Sequence, residues 1–169
     1  MRVFLLMIVL CVTPLKLFAA TSQSKCLDGF ELTAIVVLEN DIRQSVEAYA
    51  CRVAFPQDSS TYSLFNQLRE KWKKKRNEQK LKRDKVYQRI YGDAWQQKVD
   101  NWTQAMALTY SKEVTPSDIA CHDLRNELGA HASDWNIIYN SAARAAADEQ
   151  YDPLRCDNPT VIKINPGAN

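Results

Sequence analysis

The chain of 169 residues is 46% hydrophobic and 25% charged, with four glycines, six prolines and a formal net charge of +2. These proportions exclude a collagen-like or disordered polymer, and together with a negative mean hydropathy they exclude a multi-pass membrane protein. The length suits one domain around a single core and leaves no room for a nucleotide-binding domain beside a substrate domain.

The first segment reads as an address. Arg2 precedes the apolar run Val3–Val12, followed by Pro14 and the small pair Ala19–Ala20. This is the layout of a secretory signal peptide, with an apolar stretch of about 10 residues, too short to span a bilayer. Cleavage after Ala19 leaves Leu17 three positions upstream, whereas cleavage after Ala20 puts the bulkier Phe18 there. Cys11 follows the bulky Leu10, where a lipoprotein cut needs a small residue, so lipidation is not expected. The predicted organisation is a signal peptide over 1–19, a helical domain over 20–156 and a C-terminal tail over 157–169. The mature protein is expected to be exported, periplasmic or secreted, with no transmembrane anchor.

Helical periodicity runs through the rest. A first helix is predicted within 30–54 from Leu32, Ile35, Ile42, Val46, Tyr49 and Val53, with Pro56 after its end. The β-branched run Ala34–Leu38 makes a short strand the competing reading there. From Gln57 to Thr115 there is no proline and one glycine, Gly92. Apolar residues recur at helical spacing: Phe65, Leu68 and Trp72; Tyr87, Ile90 and Tyr91; Trp95, Val99, Trp102 and Met106. Ser59 or Ser60 is the expected cap of the second helix. Thr115-Pro116-Ser117-Asp118 reads as a further helix start, with Thr115 as cap, Pro116 at the first helical position and Gly129 as the stop. Ser133 is expected to cap a last helix through Trp135, Ile138 and Tyr139, and Val161–Ile164 could dock as a strand. The predicted fold is an all-α, small disulfide-stapled bundle of about four to five helices.

Removal of residues 1–19 takes Cys11 away and leaves Cys26, Cys51, Cys121 and Cys156. Four cysteines in an exported chain favour two disulfides. A helix between Cys26 and Cys51 would hold them up to ~37 Å apart, well beyond the ~7 Å limit for bridging. The favoured pairing is Cys26–Cys156 with Cys51–Cys121; Cys26–Cys121 with Cys51–Cys156 stays open.

The charge distribution is uneven. Arg69–Lys85 holds ten Lys and Arg against Glu70, Glu78 and Asp84, a local balance of +7. Without Arg2 and Lys16 the mature chain has 20 basic and 20 acidic residues, so the remainder sums to −7. Only Trp72 and Leu81 are clearly hydrophobic there, so Lys73–Lys80 is expected to lack a buried face, either projecting past the core or turning between antiparallel helices. Arg69, Lys71, Trp72, Lys73, Lys74, Lys75, Arg76, Lys80, Lys82 and Arg83 form the candidate surface for an anionic partner. The competing reading is a solvated helix face that serves solubility. Trp72 either anchors at an interface or continues the Phe65–Leu68 stripe into the core.

Sequence motifs for chemistry are sparse. His122 and His131 are nine apart, not the i, i+4 spacing of a helical zinc pair, and no GxSxG, P-loop, GxGxxG or HExxH occurs. A site built from these histidines with Asp123, Glu127 or Asp134 is the remaining metal possibility, and neither a metal nor a cofactor is expected. Cys121 and His122 cannot act as a Cys–His pair, because adjacent helical side chains point about 100° apart. The expected function is non-catalytic binding of a macromolecular partner by an exported soluble protein, in an inhibitor, immunity-type or envelope accessory role. The alternative is an envelope or lipid-surface binder or chaperone using 69–85. A small-ligand carrier or enzyme would need a cleft, with Tyr87, Trp95 and Trp102 as its candidate lining. No nucleic acid is expected, since no basic–aromatic binding motif accompanies the charge.

Overall fold

The computed structural model describes residues 25–148 and 154–156. The predicted signal peptide, the tail 157–169 and its candidate strand Val161–Ile164 lie outside the described residues. Within them the chain is all-α. The helices are α1 (Gly29–Ala54), α2 (Ser60–Lys71), α3 (Lys73–Tyr91), α4 (Trp95–Glu113), α5 (Asp118–Ser133) and α6 (Trp135–Ala145), with a 3-10 turn at Gly92–Ala94 between α3 and α4. The single β pairing among the described residues is a parallel bridge between Leu27 and Arg155.

Helix α1 is the centre. Residues from Leu32 to Leu38 are buried without interruption, and α1 packs against all five other α-helices. A helix that is apolar all round must be surrounded, and this enclosure decides the β-branched run in favour of helix. The start of α1 is set by reciprocal bonds. Asp28 Oδ1 accepts the Glu31 N–H at 2.8 Å, and Glu31 Oε2 accepts the Asp28 N–H at 3.0 Å, a capping box.

Beyond Leu38 the buried line is Gln44, Ala48 and Cys51. Tyr49 and Val53 are 59% and 63% exposed, so the stripe predicted through Ile42, Val46, Tyr49 and Val53 does not form the inner face. The Cys51–Cys121 bridge turns the other side of α1 toward α5.

Two hydrophobic clusters result. One gathers Leu32, Val36, Val86, Trp135 and Ala142 around the first half of α1. The other gathers Ala48, Phe65, Leu124, Leu128 and the Cys51–Cys121 pair around its second half. Trp72 and Ile138 pack against both.

Both disulfides take the favoured pairing, Cys26–Cys156 and Cys51–Cys121, with Cα separations of 4.9 and 5.7 Å. Around the first, the Leu27 N–H donates to Leu154 O at 2.7 Å and the Cys156 N–H donates to Leu27 O at 2.9 Å, so the two ends of the domain are closed onto each other.

Helix boundaries differ from the sequence reading at several points. The break at Trp72 separates α2 from α3, yet the hydrogen bonds Trp72 N–H to Leu68 O and Arg76 N–H to Trp72 O run through it, so nothing in the local sequence marks it. Gly92 ends α3 with φ at 55°, a conformation side chains rarely adopt. Gly129 does not stop α5, which continues to Ser133; an exposed helical glycine costs only about 1 kcal/mol against alanine. Ser117, not Thr115, caps α5, its Oγ accepting the Ala120 N–H at 3.1 Å. Asp134, not Ser133, caps α6 by accepting the Asn136 N–H at 2.9 Å. Ser59 holds the N-cap position of α2 without a side-chain bond, and Asp58 Oδ1 accepts the Ser60 N–H at 3.1 Å instead. Among the described residues, no helix is long and apolar enough to cross a membrane.

The Cys51–Cys121 bridge closes a loop with a sequence separation of 70 and ties α1 to α5 inside the second cluster. Replacing both cysteines by alanine should lower the unfolding free energy by about 2–5 kcal/mol. Urea unfolding of the double variant checks this, and an unchanged midpoint would show that the bridge contributes nothing.

Candidate functional site

The basic run is spread over the end of α2 and most of α3, and helical geometry sorts it into two sides. Lys73, Arg76, Lys80 and Arg83 recur at three- and four-residue steps and share one face. Arg69, at the end of α2, continues their line. Two adjoining surface grooves follow this stripe. Arg69, Lys73, Arg76 and Lys80 line the first with Asn66, Glu70 and Asn77. Arg69, Arg76, Lys80 and Arg83 line the second, where α1 contributes Asp41 and Ser45 and α4 contributes Thr103.

The expectation that Lys73–Lys80 lacks a buried face is overturned. Arg76 has a side chain only 11% exposed and pairs with Asp41 of α1, itself 20% exposed. Gln79 is buried beside it. The segment lies on α1 through a polar face, which a search for apolar spacing passes over. Burial pushes the Arg76 guanidinium below its ordinary pKa, with Asp41 pulling the other way and Arg69 adding to the depression. Partial burial likewise pushes the Lys80 ammonium down, reinforced by Arg76, Arg69 and Arg83 and opposed by Asp41. The grooves are therefore a concentrated positive region in which an incoming anion would relieve repulsion.

The remaining candidates are placed elsewhere. Lys74 and Lys75 are exposed and turned away from the stripe, Lys75 meeting Glu78 at 3.8 Å. Lys71 donates through Nζ to Ala132 O. Lys82 Nζ lies 5.9 Å from the centroid of the Tyr139 ring on α6. Arg83 pairs with Asp84 at 2.8 Å and lies 5.9 Å from the Trp102 ring centroid. Trp72 is half-buried, its indole N–H donating to His131 O at 3.1 Å and its ring centroid 6.0 Å from that of Trp135. It belongs to the core side of the break, as the continuation of the Phe65–Leu68 stripe implies.

A polar belt between α1 and α5 escaped the sequence reading. Arg43 Nη2 donates to Glu127 Oε1 at 2.8 Å, and Gln44 Nε2 donates to the same oxygen at 2.7 Å. Gln44 Nε2 also meets His131 Nδ1 at 3.0 Å, so Nδ1 accepts and the imidazole proton sits on Nε2. Burial pushes His131 below its ordinary pKa, opposed by Glu127 and helped by Arg43. Burial also disfavours the Arg43 charge, but Glu127 and Glu47 outweigh it and hold the guanidinium above its ordinary pKa. Glu127, considered in sequence only as a companion of the histidines in a metal site, is thus engaged by Arg43 and Gln44. His122 stands apart, exposed beside Asn126. Arg43 and Gln44 are separated from Glu127 by more than eighty residues, and no local spacing announces such a pair.

The neutral His131 gives stability a defined pH dependence. Its folded pKa lies below the unfolded value of about 6.5, so its contribution is complete above that value and declines as pH falls through it. Against His131→Gln, the wild type should lose unfolding free energy faster between about pH 7.5 and about pH 5. Urea unfolding across that range checks it; parallel curves would rule out a buried neutral ring. No protein-family model matches the chain, and no curated protein or solved structure matches it either.

Proposed function

We propose that this is an exported, non-catalytic binding protein whose α2–α3 stripe engages an acidic face of a protein partner, in an inhibitor, immunity-type or envelope accessory role. The observation that carries the reading is the alignment of Arg69, Lys73, Arg76, Lys80 and Arg83 along two adjoining grooves. Like charges at helical neighbour spacing each cost a few tenths of a kcal/mol. A solvated surface gains nothing from lining them up in a groove, whereas a partner of opposite sign does. Two disulfides suit an oxidising compartment, which supports the export that the leader suggests.

A protein is favoured over a lipid surface because the stripe lacks an apolar anchor of the kind interfacial helices insert. Trp72 packs inward, and Leu81, 62% exposed, lies on the other side of α3. The contact is electrostatic and reversible, screened over about 8 Å at physiological ionic strength.

Lys73→Glu with Lys80→Glu tests the stripe without touching the Arg76–Asp41 pair. In affinity capture from cell-envelope extract, the double variant should lose the partner held by the wild type, with the difference largest at low salt. Lys112→Glu, exposed at the end of α4, should retain it. Retention of the same partner and salt dependence by the double variant would leave the stripe a solvated surface. Salt-sensitive co-sedimentation of the wild type with phosphatidylglycerol vesicles, with no protein captured, would transfer the reading to a lipid surface.

A further inference from the structure

Behind the break at Trp72, between α1, α2, α3, α5 and α6, lies a cleft of about 150 Å³. An apolar cavity of about this size admits a benzene-sized body. Its lining includes the apolar Trp72, Trp135, Leu68 and Ile138 together with the polar Asn40, Ser141, Arg69 and Arg76. Concave sites with apolar walls and a few convergent polar groups are the usual form of small-molecule sites.

The polar groups divide into satisfied and unsatisfied sets. Arg43, Gln44, Glu127 and His131 bond to one another, as described above. Asn40 and Ser141 make no side-chain hydrogen bond among the described residues, and Arg69 meets no carboxylate there. Arg76 gives one nitrogen to Asp41, while its buried Nε has no acceptor among the described residues. Three of these four side chains offer N–H donors and the fourth a hydroxyl, which is what a carboxylate needs. The formal charges along the cleft are the guanidiniums of Arg43, Arg69 and Arg76 against the carboxylates of Asp41 and Glu127, a surplus of one positive charge that a monoanion would cancel.

We infer that this cleft binds a small monocarboxylate with a compact apolar body, the carboxylate held by Arg69, Asn40 and Ser141 in the field of Arg76 and the body lying against Trp72 and Trp135. A cation is disfavoured by the guanidiniums. A neutral apolar molecule would leave the donors unpaired, and a bare phosphate would leave the indoles without contacts. The site does not depend on the partner proposed above.

Benzoate titrated into the ¹⁵N-labelled protein at neutral pH tests this. The indole N–H signals of Trp72 and Trp135 should shift saturably, while those of Trp95 and Trp102, which do not line the cleft, stay in place. Benzyl alcohol, which keeps the ring and loses the charge, should bind about tenfold or more weakly. Ser141→Leu, which fills the cleft from α6 and leaves the basic stripe intact, should abolish the benzoate shifts. If that variant fails to fold, the pattern of indole shifts in the wild type decides alone. The inference is overturned by any of three results in the wild type: no saturable shift at millimolar benzoate, equal binding of benzyl alcohol, or shifts confined to Trp95 and Trp102. Inorganic phosphate producing the same shifts at the same concentration also overturns it.

Discussion

Helix α1 imposes two different surroundings on one rod, and the other helices are arranged to meet both. Its first half, Leu32 to Leu38, is buried on every side and needs apolar neighbours all round. Its second half carries Asp41, Arg43, Gln44 and Glu47, polar and charged groups that a close-packed interior accepts only with partners. Val86, Trp135 and Ala142 cover the first half, while Phe65, Leu124 and Leu128 cover the second. The polar belt falls between these clusters, and Trp72 and Ile138, which touch both, close the gap around it. A cleft forms at that junction because two bulky indoles and a set of mutually bonded polar side chains meet without filling the space.

The ends of α1 are restrained by different means. At its start, Glu31 serves two partners, accepting the Asp28 N–H and pairing with Arg89 of α3, whose Nη2 also donates to Cys26 O at 3.0 Å. The Cys26–Cys156 bridge and the Leu27–Arg155 pairing join this knot, so residues 26–27 and 155–156, α1 and α3 are held at one place. At its far end the Cys51–Cys121 bridge lies within the second hydrophobic cluster. A small domain with a polar belt through its middle has less apolar surface to bury, and cross-links that restrict the unfolded chain offset that deficit.

The basic stripe combines two kinds of cation. Arg76 is tied to α1 through Asp41, and Arg83 pairs with its α3 neighbour Asp84 and lies by the Trp102 ring of α4, while Lys80 has no ion pair among the described residues and Lys73 has only an exposed one with Glu70. The arginines suit their role because a planar guanidinium bonds several groups at once, whereas an ammonium is a hydrated point charge. Field strength along the grooves therefore comes partly from side chains that also position α3. Substitution at the lysines changes the potential with little effect on packing, and substitution at Arg76 changes both.

Much of the architecture was legible in the sequence because it depends on near neighbours or on counting. Helical spacing identified the class, cysteine number and helix length excluded Cys26–Cys51 and left two pairings of which the structure takes the favoured one, and composition exposed the basic run. The tertiary structure alone decided which sides of those helices face inward. The Gln44–Ala48–Cys51 line prevailed over Ile42–Val46–Tyr49–Val53 because Cys51 must meet Cys121, seventy residues away. The inner face of the first half of α3 was hidden because it is built from Arg76 and Gln79, residues whose spacing reads as surface until Asp41 is brought opposite. The caps shifted by a residue or two because neighbouring Ser, Thr and Asp side chains compete for the same N–H groups. The cleft could not be read at all: its two indoles lie far apart in the chain, Trp72 in the α2–α3 break and Trp135 on α6, and its donors gain meaning only from partners that folding does or does not supply. Periodicity along one helix is local chemistry, but the choice among its faces is made by groups that sequence distance keeps apart.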